Sequence, residues 1–406
     1  MKVKMKKLKD IRQIWLIIST VTIASLVSFI SLSTYANSLS ISPEIVFKTA
    51  CKALDEKYYF KPTVDFKSFE EKAGERITTL TDAHSYIKKL VKKLGDPYTR
   101  FLSKEEFKDE LDIMNSKLIG IGVKLDYKKP LILEVLPESP AQKGGLKAND
   151  YIIAINNTKT KRLDTNKITN LLRGPKDSKV KIKIKRNHKT SEKTIVREEL
   201  IFQSITSKIL ENNIGLIKIS SFIPQNTSTS FKEEITKLAH TNGLIIDLRN
   251  NSGGLLKNAI EIADMFLSEG KIVTTVQHTG NVNELANSHT LYDGEIVILV
   301  NEHTASASEI FASALKENNR AKVIGKRTFG KGLVQEIIRL PDDSAMHITT
   351  AAYLTPDGKN IHKVGIVPDS VIKDPKAQLD IAKKHLQLIA NHKNKEQKLP
   401  LVSLSH

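Results

Sequence analysis

The spacing of apolar residues changes from one region of the chain to the next, and each spacing predicts a different kind of element. From residue 43 to about 106 apolar positions recur every three or four residues. Ile45, Val46, Ala50 and Leu54 form one stripe and Tyr86, Ile87, Leu90, Val91 and Leu94 another, so both stretches read as helices. Gly95-Asp96-Pro97 stops the second of them. From about 117 to 187 the runs are shorter and closer to period two: Ile121-Gly122-Val123 leads into a strand, 131–135 and 150–156 give two more, and 180–184 alternates apolar residues with lysine as an edge strand does. Ser139-Pro140-Ala141 caps a short helix, and Asp164 or Thr165 starts one containing Ile168, Leu171 and Leu172. From about Ser207 strands alternate with helices: a strand over 214–222, a helix over 227–238, a strand over 243–248, and a helix with Leu256, Ile260, Ala263 and Phe266 on one face. Residues 278–292 are polar and irregular, which predicts a surface loop.

The stretch 295–335 carries the candidate chemistry. Glu295 to Val300 reads EIVILV, apolar and β-branched, as a strand buried on both faces of a mixed sheet does. After a small-residue turn, Ser306-Ala307-Ser308-Glu309 opens a helix with Ile310, Phe311, Ala314 and Leu315 at helical spacing. A hydroxyl at that point stands beside free backbone N–H groups and the positive end of a helix dipole, where an oxyanion is stabilised. Ser-x-x-Glu is also a capping box, so Ser306 taken by itself reads first as a cap. Lys331 changes the picture, because glycines flank it in Thr328-Phe329-Gly330-Lys331-Gly332 and apolar strands lie on both sides. A solvated lysine has a pKa near ~10.4, so it acts as a base at neutral pH only if burial lowers that value. The same loop is one residue short of a phosphate-binding G-x-x-x-x-G-K-[ST] motif. Gly332 stands in place of the magnesium-binding hydroxyl and a strand pattern comes next where a helix is required, which argues against nucleotide binding.

These residues resemble the C-terminal processing (tail-specific) serine proteases, which use a Ser/Lys dyad. Their S-A-S-A-S-E-I pattern stands here as Thr304 to Ile310, with Thr304 as the one conservative departure, and their T-F-G-K-G-x-V-Q as Thr328 to Gln335. The resemblance makes Ser306 the nucleophile, Lys331 the general base and Gln335 the residue that orients the lysine. Asp247 to Gly254 resembles the D-L-R-N-N-x-G-G loop of the family. Its paired glycines bring a bare N–H close to a reacting carbonyl, which assigns Gly253 with Ala307 to the oxyanion hole; a helix-entry loop with no catalytic part is the plain alternative. Tyr353 to Gly358 and Gly365 to Asp369 match two more family phrases, with His362 where glutamine is common, and Leu94 to Phe101 resembles the segment before the recognition domain.

The 117–187 unit looks like a PDZ domain, with A-x-x-x-G-L-x-x-x-D present from Ala141 to Asp150. A peptide tail would add as a strand, its carboxylate received by the N–H groups of Ile121, Gly122 and Val123. Gly122 reads equally as a β-bulge glycine. Arg173 is the candidate for coupling tail occupancy to the active site, or a surface arginine at a helix end. The implied fold class is multidomain α+β: an N-terminal helical segment (40–106), a PDZ domain (110–190), an α/β catalytic domain with a mixed sheet (200–373, interleaved with the N-terminal region), and a C-terminal helix and basic tail (374–406).

Composition adds three constraints. Lys2, Lys4, Lys6, Lys7, Lys9 and Arg12 precede a charge-free apolar core over 14–30, which predicts an export signal in 1–36, cleaved after Ala36 or retained as an anchor. The body of the protein is then expected outside the cytoplasm, periplasmic or attached to the outer side of the cytoplasmic membrane. A net charge of +18 is spread over every segment with little aromatic interleaving, which reads as a basic proteome or as attraction to an anionic membrane surface rather than as nucleic-acid binding. Cys51 is alone, so there is no intrachain disulfide, and none of the 11 histidines sits in a metal or triad motif. The expected partners are protein substrates held by their C-terminal tails, with a homo-oligomer open. Neither metal nor cofactor is required. The rival reading is a PDZ-bearing envelope scaffold or chaperone that binds tails without cutting them.

Overall fold

The computed structural model describes residues 41–126, 129–201 and 203–396. The predicted export signal and the basic tail lie outside these residues. The chain forms two compact units. The first takes the residues up to Glu56 together with Pro62–Asp96 and Arg339–Asp343, and the second takes Lys57–Lys61, Pro97–Ile338 and the chain from Ser344 onward.

The first unit is built on helices α1 (Pro43–Lys57), α2 (Phe66–Gly74) and α3 (Leu80–Leu94). Thr79 and Asp82 close a capping box at the start of α3, and a left-handed Gly95 ends it. The predicted α3 stripe is buried at Ile87, Leu90, Val91 and Leu94. In α1 the stripe is rotated by one position: Ile45 is 55% exposed, and Phe47 takes the place beside Val46, Ala50 and Leu54. The cause is an aromatic contact that periodicity does not reveal, since Phe47 packs against Phe69 of α2 and Tyr86 of α3. Helix α3 ends where Gly95-Asp96-Pro97 predicts the stop. Residues 97–98 bend, Arg100–Leu102 is a short strand, and α4 (Lys104–Met114) starts anew behind Ser103, whose hydroxyl accepts the Glu106 N–H.

Within the second unit the PDZ-like part comprises β2 (Lys117–Gly120), β3 (Val123–Leu125), β4 (Ile132–Val135), α5 (Pro140–Lys143), β5 (Tyr151–Ile155), β6 (Thr158–Lys159), α6 (Thr165–Leu172), β7 (Lys179–Arg186), β8 (Lys189–Val196) and β9 (Glu198–Ile201). β7 is not an edge strand: it lies between β5 and β8 in the order β6-β5-β7-β8. Its lysine alternation reports one buried face, with Val180, Ile182 and Ile184 in the core, and says nothing about position in the sheet. Asn187 and His188, both at positive φ, make the tight turn that returns the chain as β8.

The rest of the second unit centres on a six-stranded sheet of order β10-β11-β12-β15-β16-β19, made of β10 (Ile205–Leu210), β11 (Ile214–Ile219), β12 (Leu244–Asp247), β15 (Ile296–Val300), β16 (Lys322–Gly325) and β19 (Ser370–Val371). β10 is antiparallel and the rest are parallel. Helices cover both faces, which is why β15 reads as continuously apolar. Ile296, Ile298 and Val300 pack with Phe231 of α7 (Thr227–Lys237), Ala259 of α8 (Leu256–Asp264) and Phe311 of α9 (Ala307–Glu317). Val297 and Leu299 pack with Ala382 and Leu386 of α10 (Pro375–Glu396). A second sheet runs β1-β18-β13-β14, from β1 (Arg100–Leu102), β18 (Ala345–Leu354), β13 (Lys271–Gln277) and β14 (Gly280–Leu285), with β17 (Leu333–Arg339) also on β18. The stretch 278–292 is therefore not all loop, since β14 pairs with β13 as a hairpin; its polarity reflects an exposed strand. On α8 the core side is carried by Ala259, Ile262 and Ala263, with Leu256 and Ile260 at its margin.

Cys51 is 1% exposed, and burial, reinforced by the charge of Glu70, pushes its thiol up to about 12. Its thiolate fraction is then about a thousandfold below that of a solvated cysteine. Iodoacetamide should leave the native protein unmodified at pH 8 and label Cys51 in urea. Rapid labelling of the native form would contradict this packing.

Candidate active site

Three adjacent parallel strands end at one edge of the six-stranded sheet, and each passes into a loop with candidate chemistry. β12 leads to residues 248–254, β15 to 301–306 and β16 to 326–332. Ligands of open α/β sheets bind at such carboxyl ends. Side-chain bonds tie the first two loops together. Thr304 Oγ1 donates to Leu248 O (2.9 Å), Ala305 N–H and Ser308 Oγ both donate to Asn251 O (3.0 Å each), and Asn301 Nδ2 donates to Asn250 Oδ1 (2.7 Å). The departure Thr304 thus keeps the hydroxyl that the turn uses.

Ser306 itself has φ 57° and ψ −122°, a region that a non-glycine residue enters at a cost of roughly 1–3 kcal/mol. A carboxylate one turn along the helix holds this strain in place. Glu309, on the first turn of α9, is fully buried, and its Oε2 accepts the N–H of Ser306 (2.8 Å) and of Lys331 (2.9 Å). Its Oε1 accepts Gly330 N–H (2.8 Å) and Thr328 Oγ1–H (2.5 Å). Burial pushes the Glu309 carboxyl above its ordinary pKa, and these four donors pull it back toward the charged form. Tyr353 of β18 adds a second link: its hydroxyl donates to Lys331 O (2.6 Å) and lies 3.3 Å from Ser306 O. Burial holds that phenol well above its usual range, so it stays protonated and able to donate.

Ser306, Ala307, Gly253, Lys331 and Gln335 all line one cavity of about 410 Å³. Gln335, on β17, donates from Nε2 to Thr349 Oγ1 (3.4 Å). Ala307 begins α9, so its N–H has no acceptor within the helix. Gly253 has φ +95°, and a Cβ there would stand 2.6 Å from Ala305 O and 2.9 Å from Ser306 Cβ. Only glycine lets the loop lie this close to the Ser306 turn. Its N–H is not bare as expected, however, because it donates to Asn251 Oδ1 (2.9 Å).

A profile of peptidase family S41 matches residues 213–372, and a PDZ-domain profile matches residues 131–186. The carboxyl-terminal-processing protease of Picosynechococcus sp. is 35% identical over 308 residues, covering 73% of this chain and 74% of that one. The chain belongs to peptidase family S41. It is a serine-type peptidase of the carboxyl-terminal-processing group. A probable CtpA-like serine protease of Staphylococcus epidermidis is 34% identical over 329 residues, which are 79% of this chain and 65% of that protein. Among solved structures, the photosystem II D1 C-terminal processing protease superposes with a TM-score of 0.68 at 27% identity, covering 84% of this chain and 97% of the other.

The remaining predicted residues of this S41 chain do not line the Ser306 cavity. In the PDZ-like part Ile121 is buried, and the carbonyls of Ile121 and Gly122 accept the N–H groups of Ala141 and Leu136 (2.8 and 2.9 Å). Gly122 has φ +79°, and an added Cβ would meet Ser139 Cβ at 2.3 Å, so the fold itself requires glycine there. Arg173 comes directly after α6 and pairs with Asp109 of α4 (3.6 Å), with its side chain 23% exposed, so it is not a free surface arginine. It lines a second cavity that shares Arg100, Glu110 and Ile223 with the first. Burial drives the Glu110 carboxyl up, but His347 (2.9 Å), Arg100 (3.2 Å) and Arg173 outweigh it and hold the group below its ordinary value.

Sequence reasoning missed several contributors. Asn251, Tyr353 and Tyr98 lie inside family phrases that assign them no role in the site, and Glu309 reads only as a cap. No phrase in the sequence marks a carboxylate partner for His303, and Asp126, just after β3, stands 3.8 Å from its Nε2. Nearby, Lys124 of β3 donates to Ser220 O (3.0 Å), where burial brings its pKa down to about 8. The one readable signal was the loop 328–332, whose consecutive inward N–H groups require a buried acceptor.

Replacing Glu309 by glutamine preserves shape but sets an NH2 group against N–H donors. Glu309→Gln should lower kcat at least about tenfold and cost roughly 1–3 kcal/mol of stability in urea titration, because at least one buried donor is left unpaired. Wild-type turnover and stability in that variant would show that the clamp is dispensable.

Proposed function

We propose that this S41 protein is an exported endopeptidase that holds protein substrates by their C-terminal tails in its PDZ domain and cuts them with a Ser306/Lys331 dyad. What supports this most is the single buried carboxylate of Glu309, bonded to the backbone N–H of both proposed dyad members on the wall of one cavity. A binding scaffold has no use for that arrangement. The names of its relatives, carboxyl-terminal-processing proteases, point the same way.

In the proposed chemistry Lys331, as the neutral amine, removes the Ser306 Oγ proton as Oγ bonds to the scissile carbonyl carbon. The oxyanion is received by the N–H groups of Ala307 and Gly253, the latter exchanging its bond to Asn251 Oδ1 for the new charge. Lys331 then returns the proton to the leaving nitrogen as the C–N bond breaks, and water hydrolyses the acyl-enzyme by the reverse route. Gln335, anchored on Thr349, orients the lysine. The apolar part of the cavity wall, with Leu256, Ile310, Leu333 and Val334, fits an apolar side chain next to the scissile bond. The tail carboxylate is assigned to the N–H groups of the loop Ile121-Gly122-Val123, and Arg173 to the coupling of tail occupancy to the active site.

Export rests on the basic and apolar pattern of the first 36 residues. No helix among the described residues is long and apolar enough to cross a membrane. In the proposed layout residues 40–106 form the helical region, 110–190 the PDZ domain and 200–373 the catalytic domain.

The test uses a quenched-fluorescence peptide with an apolar, free C-terminal tail. Ser306→Ala and Lys331→Ala should each lower kcat at least about a thousandfold while tail affinity stays the same. Amidating the peptide's terminal carboxylate should raise KM severalfold. Turnover by Ser306→Ala equal to wild type would end the dyad reading, and indifference to amidation would end the reading of tail capture.

A further inference from the structure

The proposed dyad chemistry leaves the segment 94–101 without a role, yet this segment brings an aromatic ring to the lysine. Thr99 is buried with its Oγ1 accepting Thr349 N–H (3.0 Å), and Arg100 pairs with His347 in the β1–β18 ladder. These contacts fix the residue just before them. Tyr98 is half-buried on the cavity wall, and Lys331 Nζ lies over its ring, 5.0 Å from the centroid. A ring face attracts a cation within about 6 Å of its centroid.

We propose that Tyr98 is a positioning residue of the dyad, whose ring face holds Lys331 Nζ in place and stabilises the ammonium formed when the lysine takes the Ser306 proton. The proposal rests on the reading of Lys331 as general base. During attack one proton moves from Ser306 Oγ to Nζ, so a neutral amine becomes a cation inside the cavity. It stays a cation until the proton leaves on the departing nitrogen. A carboxylate at this place would keep the lysine protonated throughout and useless as a base. An aromatic face favours the cation more weakly and cannot take its proton. It therefore acts mainly where the charge develops, which is what accelerates a step.

Other groups reach Lys331 from each element packed on it. Glu309 of α9 takes its N–H, Tyr353 of β18 bonds its carbonyl, and His362 packs on Gly332 and meets the Tyr98 ring edge-on at 6.1 Å. Arg100, Glu110 and His347 form their own cluster elsewhere on the cavity wall. All of these remain when Tyr98 is replaced, so a comparison among Tyr98 variants isolates the ring.

The experiment measures kcat and KM from about pH 6 to 10 for wild type, Tyr98→Phe, Tyr98→Leu and Lys331→Ala on the tailed peptide. Tyr98→Phe keeps the ring and should stay within about twofold of wild type with the same pH profile. Tyr98→Leu should lower kcat about 2- to 30-fold at nearly constant KM. Its acid-side apparent pKa should fall by up to about one unit, since the neutral amine no longer competes with a ring-stabilised cation. If Tyr98→Leu does not fold by thermal melting, Tyr98→Met and Tyr98→Trp must show the same contrast between side chains without and with an aromatic face. Equal impairment of Phe and Leu variants with unmoved profiles would overturn the proposal, as would a Leu variant matching wild type in rate and profile. An active Lys331→Ala protein would instead overturn the base assignment, whereas an inactive one beside an unaffected Leu variant removes only the role of Tyr98.

Discussion

Burying a carboxylate is costly unless its lone pairs are used, and Glu309 meets that condition with three backbone N–H groups and one hydroxyl. The four donors come from two loops that lie more than twenty residues apart in sequence but sit at the ends of neighbouring strands. Because the acceptor is a single rigid group, the loops cannot shift independently. Ser306 can hold a strained backbone and Lys331 can face the same cavity because both are referred to this one carboxylate. Nearly every other feature of the site supports the clamp. Tyr353 bonds the carbonyl of Lys331 while Glu309 takes its N–H, and Asn251 secures the loop that faces the serine.

Sheet topology explains why such distant residues meet. β12, β15 and β16 are parallel neighbours, so the loops after them emerge side by side at the carboxyl edge of the sheet. β1, which precedes the PDZ-like part in sequence, pairs with β18 and so returns the chain to the same place. The PDZ-like part is joined to this edge through β3, whose Lys124 and Asp126 reach Ser220 and His303. β3 and the residue after it are therefore bonded to segments that flank the Ser306 cavity.

Where a residue's role depends on local spacing, the sequence was readable. The strand, turn and helix around Ser306 are written in an apolar run, small residues and a helical stripe, and the structure has them within a residue or two. The same reasoning failed where position was set from outside. β7 reads as an edge strand but is central, since alternation reports only which face is buried. Ile45 reads as core but is exposed, because the partner that selects Phe47 lies on other helices. β14 reads as loop because an exposed strand borrows its order from β13.

The sequence by itself determined the succession of elements, the small-residue turn before α9, the glycine-flanked lysine and the family to which these belong, because each is carried by neighbouring residues and their spacing. Only the tertiary structure decided that Glu309 is a four-donor acceptor rather than a simple cap, that the Gly253 N–H is already engaged by Asn251, and that the Tyr98 ring lies over Lys331. The physical reason is the same in each case. A hydrogen bond or a ring contact needs two groups at a set distance, and the partner's place is fixed by strand order and packing far away in the chain.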